Sequence, residues 1–158
     1  MSATAEGPSF ERLLREPPLL LAFGFGLGLA PKAPGTAGTL LGVAAHFATQ
    51  GLALPVRAGI VVLLFGLGVW CCGVAAKRLG VHDHPGIVFD EVVGYLIAML
   101  AAPAGWLWIA AGFVLFRAFD IWKPWPIRLV DRRVHGGLGI MLDDVLAGAL
   151  AAVILSFA

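Results

Sequence analysis

The sequence predicts an all-α fold: a polytopic membrane helical bundle of about five spans plus a short N-terminal interfacial or re-entrant segment. Three observations point there. Of 158 residues, 59% are hydrophobic and only 13% charged, whereas soluble domains run at about 45–50% apolar and about 25% charged. Mean hydropathy is +0.91, too apolar for a chain that must clothe itself in water. The apolar residues also gather in runs close to the length that a helix rising about 1.5 Å per residue needs to cross about 30 Å of hydrocarbon. A basic nucleic-acid binder, a disordered linker and an ordinary cytosolic enzyme are thereby excluded, and no nucleic-acid partner is expected at a net charge of +1. The length suits a single domain, 1–158, with 1–18 as a cytoplasmic N-terminal segment.

Residues 37–54 and 58–76 form the first hairpin, with Pro55 and Arg57 marking its turn. Residues 88–102 and 104–119 are shorter and form a second, because Pro103 between them cannot continue a helix without a kink. The run 138–157 closes the bundle. Leu19–Ala30 is about 18 Å long if helical and carries three glycines, so it is expected to lie at the interface or re-enter without spanning. Glu6, Glu11 and Glu16 interrupt the start where a secretion signal would need a basic and then an apolar stretch, so the N-terminus reads as mature. Adjacent Cys71 and Cys72 offer neither a disulfide framework nor a structural metal site.

On this layout Arg57 alone, of eleven Lys and Arg, falls in the loop between the first two spans. The other ten lie toward the opposite side, which the positive-inside rule makes cytoplasmic, and the C-terminus then points outward. Three polar segments, 31–39, 77–91 and 116–144, converge on that inner face.

Those segments hold the chemistry. Asp90 and Glu91 open one apolar run, and Asp143 with Asp144 lie inside another. An ionised carboxylate at a span centre costs about 2.5–3.5 kcal/mol even on insertion scales, so such residues need partners or a task. Neighbours on a helix point about 100° apart, so each pair is expected to send one carboxylate inward and leave the other on a flank. Like charges side by side in apolar surroundings repel unless a cation lies between them. Hard oxygen donors without Cys partners suit Mg²⁺, with substrate phosphate completing its shell. Arg117, Lys123, Arg132 and Arg133 are placed to neutralise phosphate oxygens. Carboxylates and cations at the bilayer edge together describe a site for a phosphorylated lipid, and Gly94 and Gly148, each a turn from a carboxylate, allow helices to close up there.

Other readings compete at individual residues. Asp131 beside Arg132 reads first as a solvated rim, and Arg117 with Asp120 reads equally as a pair along one helix. His46, alone on an apolar helix, reads as a hydrogen-bonded core residue. Asp83 lies between His82 and His84, so Asp83 and His84 are candidates for proton handling. The string APKAPGTAGTL runs a Pro-Gly loop into a helix capped by Thr36 or Thr39, and the free amides there, with Lys32, suit an anion or simply cap the helix. Cys72 to Arg78 has cysteine-phosphatase spacing but lacks the amide-rich loop that would hold phosphate. An ion-coupled transporter or a lipid-binding membrane protein with a one-sided carboxylate site is the alternative class. A transporter predicts carboxylates spread toward mid-span.

The loop APGTAGTL and the strings GVHDHPGIVFDEVVG and FRAFDIWKPWPIRLVDRRVHGGLGIMLDDVLAG resemble the phosphatidylglycerophosphatase A family across residues 20–157. The resemblance implies an all-helical, Mg²⁺-dependent hydrolase of the bacterial inner membrane. Such an enzyme removes the terminal phosphate of phosphatidylglycerophosphate, giving phosphatidylglycerol. It carries the acidic set onto Asp83, Asp90, Glu91, Asp120, Asp131, Asp143 and Asp144, and the basic set onto Arg117 and Lys123. On that basis Asp90, Glu91, Asp143 and Asp144 are expected to hold Mg²⁺, while Lys32, Thr36, Arg117, Lys123 and Arg132 bind substrate. Asp83 or His84 serves as acid or base, and Asp120 or Asp131 is available for a covalent phosphoryl intermediate. Gly38 and Gly42 permit close helix packing within the chain or in a homo-oligomer.

Overall fold

The computed structural model describes residues 7–158, so the first six residues of the expected cytoplasmic segment lie outside the described residues. All regular structure among the described residues is helical. Helix α1 (Phe10–Arg15) and α2 (Pro17–Ala22) precede a 3₁₀ stretch, Gly24–Leu29. Then come α3 (Pro34–Thr49), α4 (Leu54–Leu79), α5 (Phe89–Ala98), α6 (Trp106–Trp122), α7 (Ile127–Arg133) and α8 (Gly136–Leu155).

By length and composition two of these, α4 and α8, are long and apolar enough to cross a membrane. The sequence expectation of about five spans is therefore borne out at those two. The run expected over 88–102 folds as a helix of ten residues, about 15 Å long. Pro55 does not sit in a turn: it occupies the first turn of α4, where its missing N–H costs nothing, and the hairpin bend moves upstream to residues 50–53. Leu19–Ala30 divides into α2 and the 3₁₀ stretch, which is broken by positive φ at Gly24, Phe25 and Gly26. Leu19, Ala22 and Phe23 are fully buried against the bundle. Two short helices, α1 and α7, had no counterpart among the expected spans.

Helix α5 is the axis. Every residue of it except Ile97 is buried. Beside it α3 runs in the same sense, with Gly35 at Glu91 and Gly42 at Tyr95, and α8 does likewise, with Gly148 against Gly94. Helix α6 runs opposite, Gly112 on Met99 and Phe116 on Gly94, and α4 runs opposite to α8, Gly73 on Gly137 and Gly68 on Met141. The five longer elements thus alternate in direction along the chain. Gly38 and Gly42 are used within the chain, against Val88 and Tyr95, so their spacing carries no argument for an oligomer.

Both ends of α5 are fixed by hydrogen bonds. At its start the Val88 N–H donates to the Ala22 carbonyl (2.8 Å), tying it to α2. At its end Arg57 Nη2 donates to the Met99 carbonyl (2.7 Å). Arg57, the cation set apart by the charge count, thus caps a buried helix terminus whose carbonyls have no intrahelical partner. Hydrogen bonds to charged groups are worth about 1.5–3 kcal/mol. Arg57→Met is expected to lower stability by that order, read as a lower thermal midpoint in detergent, with Arg57→Lys recovering part; an unchanged midpoint would exclude the capping role.

Candidate metal centre

Two glycines set the site. Gly94 of α5 lies on the Asp144 carbonyl, which a Cβ would approach to 2.8 Å, and Gly148 lies on the Gly94 carbonyl. With no side chains between them, α5 and α8 close up and bring Asp90, Glu91 and Asp144 together: one oxygen from each lies within 4.8 Å of the others. All three are buried, with relative exposures of 8%, 9% and 3%.

Sequence reasoning expected one inward carboxylate per adjacent pair. For Asp143 and Asp144 this holds: Asp144 faces α5, while Asp143 Oδ2 turns to Lys123 Nζ at 2.7 Å. For Asp90 and Glu91 it does not, and both join the cluster. The first turn of α5 is enclosed on all sides, so neither residue has a solvent flank to turn to. Of the four expected carboxylates, Asp90, Glu91 and Asp144 gather within 4.8 Å, and Asp143 is paired with Lys123.

Within the cluster Asp90 Oδ1 accepts the Glu91 N–H (3.1 Å), but Glu91 Oε2 and Asp144 Oδ2 are buried without a hydrogen-bond partner. Buried acceptors are normally satisfied, and like-charged carboxylates at this spacing repel. Three hard oxygen donors with two orphaned acceptors suit a divalent cation of the Mg²⁺ type.

A basic wall adjoins them. Arg117 Nη1 stands 3.7 Å from Glu91 Oε1 and pairs with Asp120 one helical turn on. The start of α3 closes over this pair: a Cβ at Gly35 would collide with the Glu91 carboxylate and come within 2.9 Å of Arg117 Nη1, and one at Gly38 would meet Glu91 Oε2 at 3.3 Å. A side chain at Gly35 would displace the Glu91 and Arg117 head groups, and one at Gly38 would run into Val88, including its backbone carbonyl at 2.8 Å. The expected Thr caps are absent. Ala33, in the left-handed region, precedes Pro34 at the first position, and the Thr39 hydroxyl donates back to the Gly35 carbonyl at 2.9 Å. Thr36 is half-buried nearby and Lys32 is exposed.

At the far end of α6, Lys123 takes a left-handed backbone conformation, φ 47°, and its Nζ bridges Asp131 Oδ1 (2.6 Å) and Asp143 Oδ2 (2.7 Å). Burial alone would lower its pKa, but the two carboxylates outweigh burial and raise it, so it stays charged. This bond joins α6, α7 and α8, and no spacing rule connects residues 20 positions apart. Asp83 is exposed at its surface yet crowded by protein: burial raises its carboxyl above the ordinary range, against the pull of Lys123. His84 points elsewhere. Its Nδ1 accepts the Gly86 N–H (3.0 Å) and its ring lies 5.4 Å from that of Phe23, on a cavity of about 480 Å³ near Pro31 and Pro34. Burial lowers its pKa, keeping the ring neutral. Arg132 is exposed, without an ion pair among the described residues. His46 is a core residue as expected, 6.4 Å and edge-on to Tyr95, although its Nδ1 has no partner.

The family model for phosphatidylglycerophosphatase A matches residues 20–158. The chain belongs to the phosphatidylglycerophosphatase A family. Among curated relatives, a phosphatidylglycerophosphatase A of Escherichia coli is 50% identical over 139 residues, covering 87% of this chain and 81% of the relative. One from Haemophilus influenzae is 46% identical over 160 residues, covering 98% and 96%. A Bacteroides thetaiotaomicron protein provisionally named a phosphatidylinositol-3-phosphatase is 40% identical over 149 residues, covering 89% and 92%. No solved structure matches. The phosphatidylglycerophosphatase A match spans every residue of the acidic cluster and its basic wall.

Cation binding to the folded chain must stabilise it, by about 2.7 kcal/mol at a hundred times the dissociation constant. Mg²⁺ is expected to raise the thermal midpoint of the purified protein. Asp144→Asn is expected to erase that rise without lowering the metal-free midpoint, since it removes a like charge; an undiminished rise would remove Asp144 from the site. Gly35→Val is expected to displace Glu91 and Arg117 and reduce phosphate release about 10–100-fold, the usual effect of disturbing groups behind metal ligands, with helicity unchanged on circular dichroism.

Proposed function

We propose that the chain is a Mg²⁺-dependent lipid phosphatase that hydrolyses the terminal phosphate of phosphatidylglycerophosphate to phosphatidylglycerol and inorganic phosphate. The observation that carries the reading is the buried cluster of Asp90, Glu91 and Asp144, with two orphaned oxygens, flanked by Arg117 in a chain of this family.

Asp90, Glu91 and Asp144 would hold the cation, which would supply Lewis-acid polarisation of a phosphoryl oxygen and of water. Arg117, oriented by Asp120, binds phosphate oxygens by charge-assisted hydrogen bonds and stabilises the charge that grows on them. Lys123, held by Asp131 and Asp143, contributes positive potential on the other side. In these pairs Asp120 and Asp131 serve as orienting groups, which favours attack by water over a covalent phosphoryl intermediate. Asp83, whose raised carboxyl holds a proton more readily than a free one, donates it to the leaving glycerol oxygen. His84, Lys32 and Thr36 shape the approach of the headgroup rather than the reacting atoms, and Arg132 lines a separate hollow with Trp122 and Trp125.

The enzyme is a multi-pass protein of the bacterial inner membrane with this site on the cytoplasmic face. Supporting this are the alternation of the five longer helices and their outward apolar side chains, among them Leu63, Val114 and Val153. Trp106 and Trp122, both largely exposed, stand at opposite ends of α6, about 24 Å apart in rise, as interfacial anchors do. Helices this short imply a locally thin bilayer, which lets a terminal phosphate reach the acids while its acyl chains stay in the leaflet. A transporter would spread its carboxylates along the spans, whereas here three gather at one end of α5.

Phosphate release by the purified protein in detergent tests the reading. Release from phosphatidylglycerophosphate is expected to require Mg²⁺, to stop with chelator, and to exceed that from phosphatidic acid and phosphatidylinositol 3-phosphate. Release indifferent to chelator would remove the metal role; preference for another lipid would reassign the substrate.

A further inference from the structure

The corner between α6 and α7 has two faces with different chemistry. The left-handed turn at Lys123 sends its ammonium inward to Asp131 and Asp143. On the outer face Trp122 and Trp125 are 70% and 81% exposed and, with Pro124 and Leu129, line a cavity of about 400 Å³. Its remaining walls are Arg128 and Arg132, one turn apart on α7. Neither guanidinium takes part in an ion pair among the described residues, in contrast to Arg117 and Lys123 close by. The acids of this region are already engaged: Asp120 with Arg117, Asp131 and Asp143 with Lys123. The outer face is therefore a local excess of positive charge above an apolar, aromatic hollow.

Its height identifies what it meets. In the multi-pass arrangement proposed above, on which this inference rests, Ile121, 71% exposed, lies on the last turn of α6 facing lipid, and Trp122 falls at the level where indole rings partition between acyl chain and headgroup. Arginine stems lie along apolar surface while their heads reach the phosphate layer. Aromatic rings at acyl depth beneath paired, uncommitted guanidiniums complement one amphiphile, an anionic phospholipid whose phosphate the guanidiniums grip.

The geometry points to a second lipid site: the hollow formed by Trp122, Trp125, Leu129, Arg128 and Arg132 holds the headgroup and upper acyl chain of one anionic diacyl phospholipid, apart from the acidic cluster. The site fixes the α6–α7 corner at the membrane surface and makes the protein prefer an anionic surrounding. It does not depend on which phosphate ester the acidic cluster hydrolyses.

The test uses the full chain in phosphatidylcholine nanodiscs, with a small fraction of lipid brominated near the headgroup end of its chains to quench tryptophan emission. Brominated phosphatidylglycerol is expected to quench more than the same fraction of brominated phosphatidylcholine. The doubly substituted Trp122→Phe, Trp125→Phe chain is expected to lose that excess. A guanidinium at an anionic surface is worth about a fivefold preference, so Arg128→Gln is expected to reduce the selectivity about fivefold. Equal quenching by the two lipids in the unaltered chain would overturn the proposal, and so would an excess that survives either variant. Loss of the excess on adding inorganic phosphate would also overturn it, by showing a site for a free ion.

Discussion

Three buried carboxylates crowd together in this molecule, and everything around them answers that constraint. Placing one ionised carboxylate inside an apolar helix already costs several kcal/mol, and Asp90, Glu91 and Asp144 stand within 4.8 Å of one another. The approach is possible because Gly94 and Gly148 let two backbones meet where side chains would hold them apart. Two acceptors in the pocket remain without donors. The chain has used its packing to concentrate carboxylates where Arg117 is the nearest cation, 3.7 Å from Glu91.

Around that pocket the cations form tiers. Arg117 touches the cluster and is steadied by Asp120; Lys123 stands one step out, steadied by Asp131 and Asp143. Arg128 and Arg132 lie beyond, at the surface, with no carboxylate in an ion pair with them among the described residues. From Arg128 and Arg132 inward to Lys123 and Arg117 the cations are thus progressively more buried and more firmly held by carboxylates. Helix α3 completes the enclosure, its glycines yielding space to Glu91 and Arg117 where any larger residue would push them away.

Helix α5 is short because it is an internal support for this arrangement. It presents its first turn to the chemistry and is held at both ends, by the Ala22 carbonyl and by Arg57. The longer α4 and α8 beside it are the two helices long and apolar enough to cross a membrane, and α6 carries tryptophan at both ends. An opposite-end cap on α5 from the single outlying Arg57 explains why that cation stands apart from the other ten.

Much of this was legible in the chain itself. The composition and apolar runs pointed to an all-helical fold, which the structure bears out with two helices long and apolar enough to cross a membrane, and charge placement pointed to the shared region where the acids and bases gather, because hydropathy and charge are properties of residues in order. The motif strings carried the family. Helix ends were less legible: Pro55 reads as a turn in isolation but is equally at home at a helix start, and the helix in the run over 88–102 ends at Ala98, where the Met99 carbonyl is taken by Arg57 from 42 residues away. What only the tertiary structure decided is which carboxylates meet. Asp143 and Asp144 are equal in sequence, yet one lies against α5 and the other against Lys123, 20 residues away. That choice is made by the rotation of α8 once its glycines seat against α5, and rotation is a property of the packed bundle.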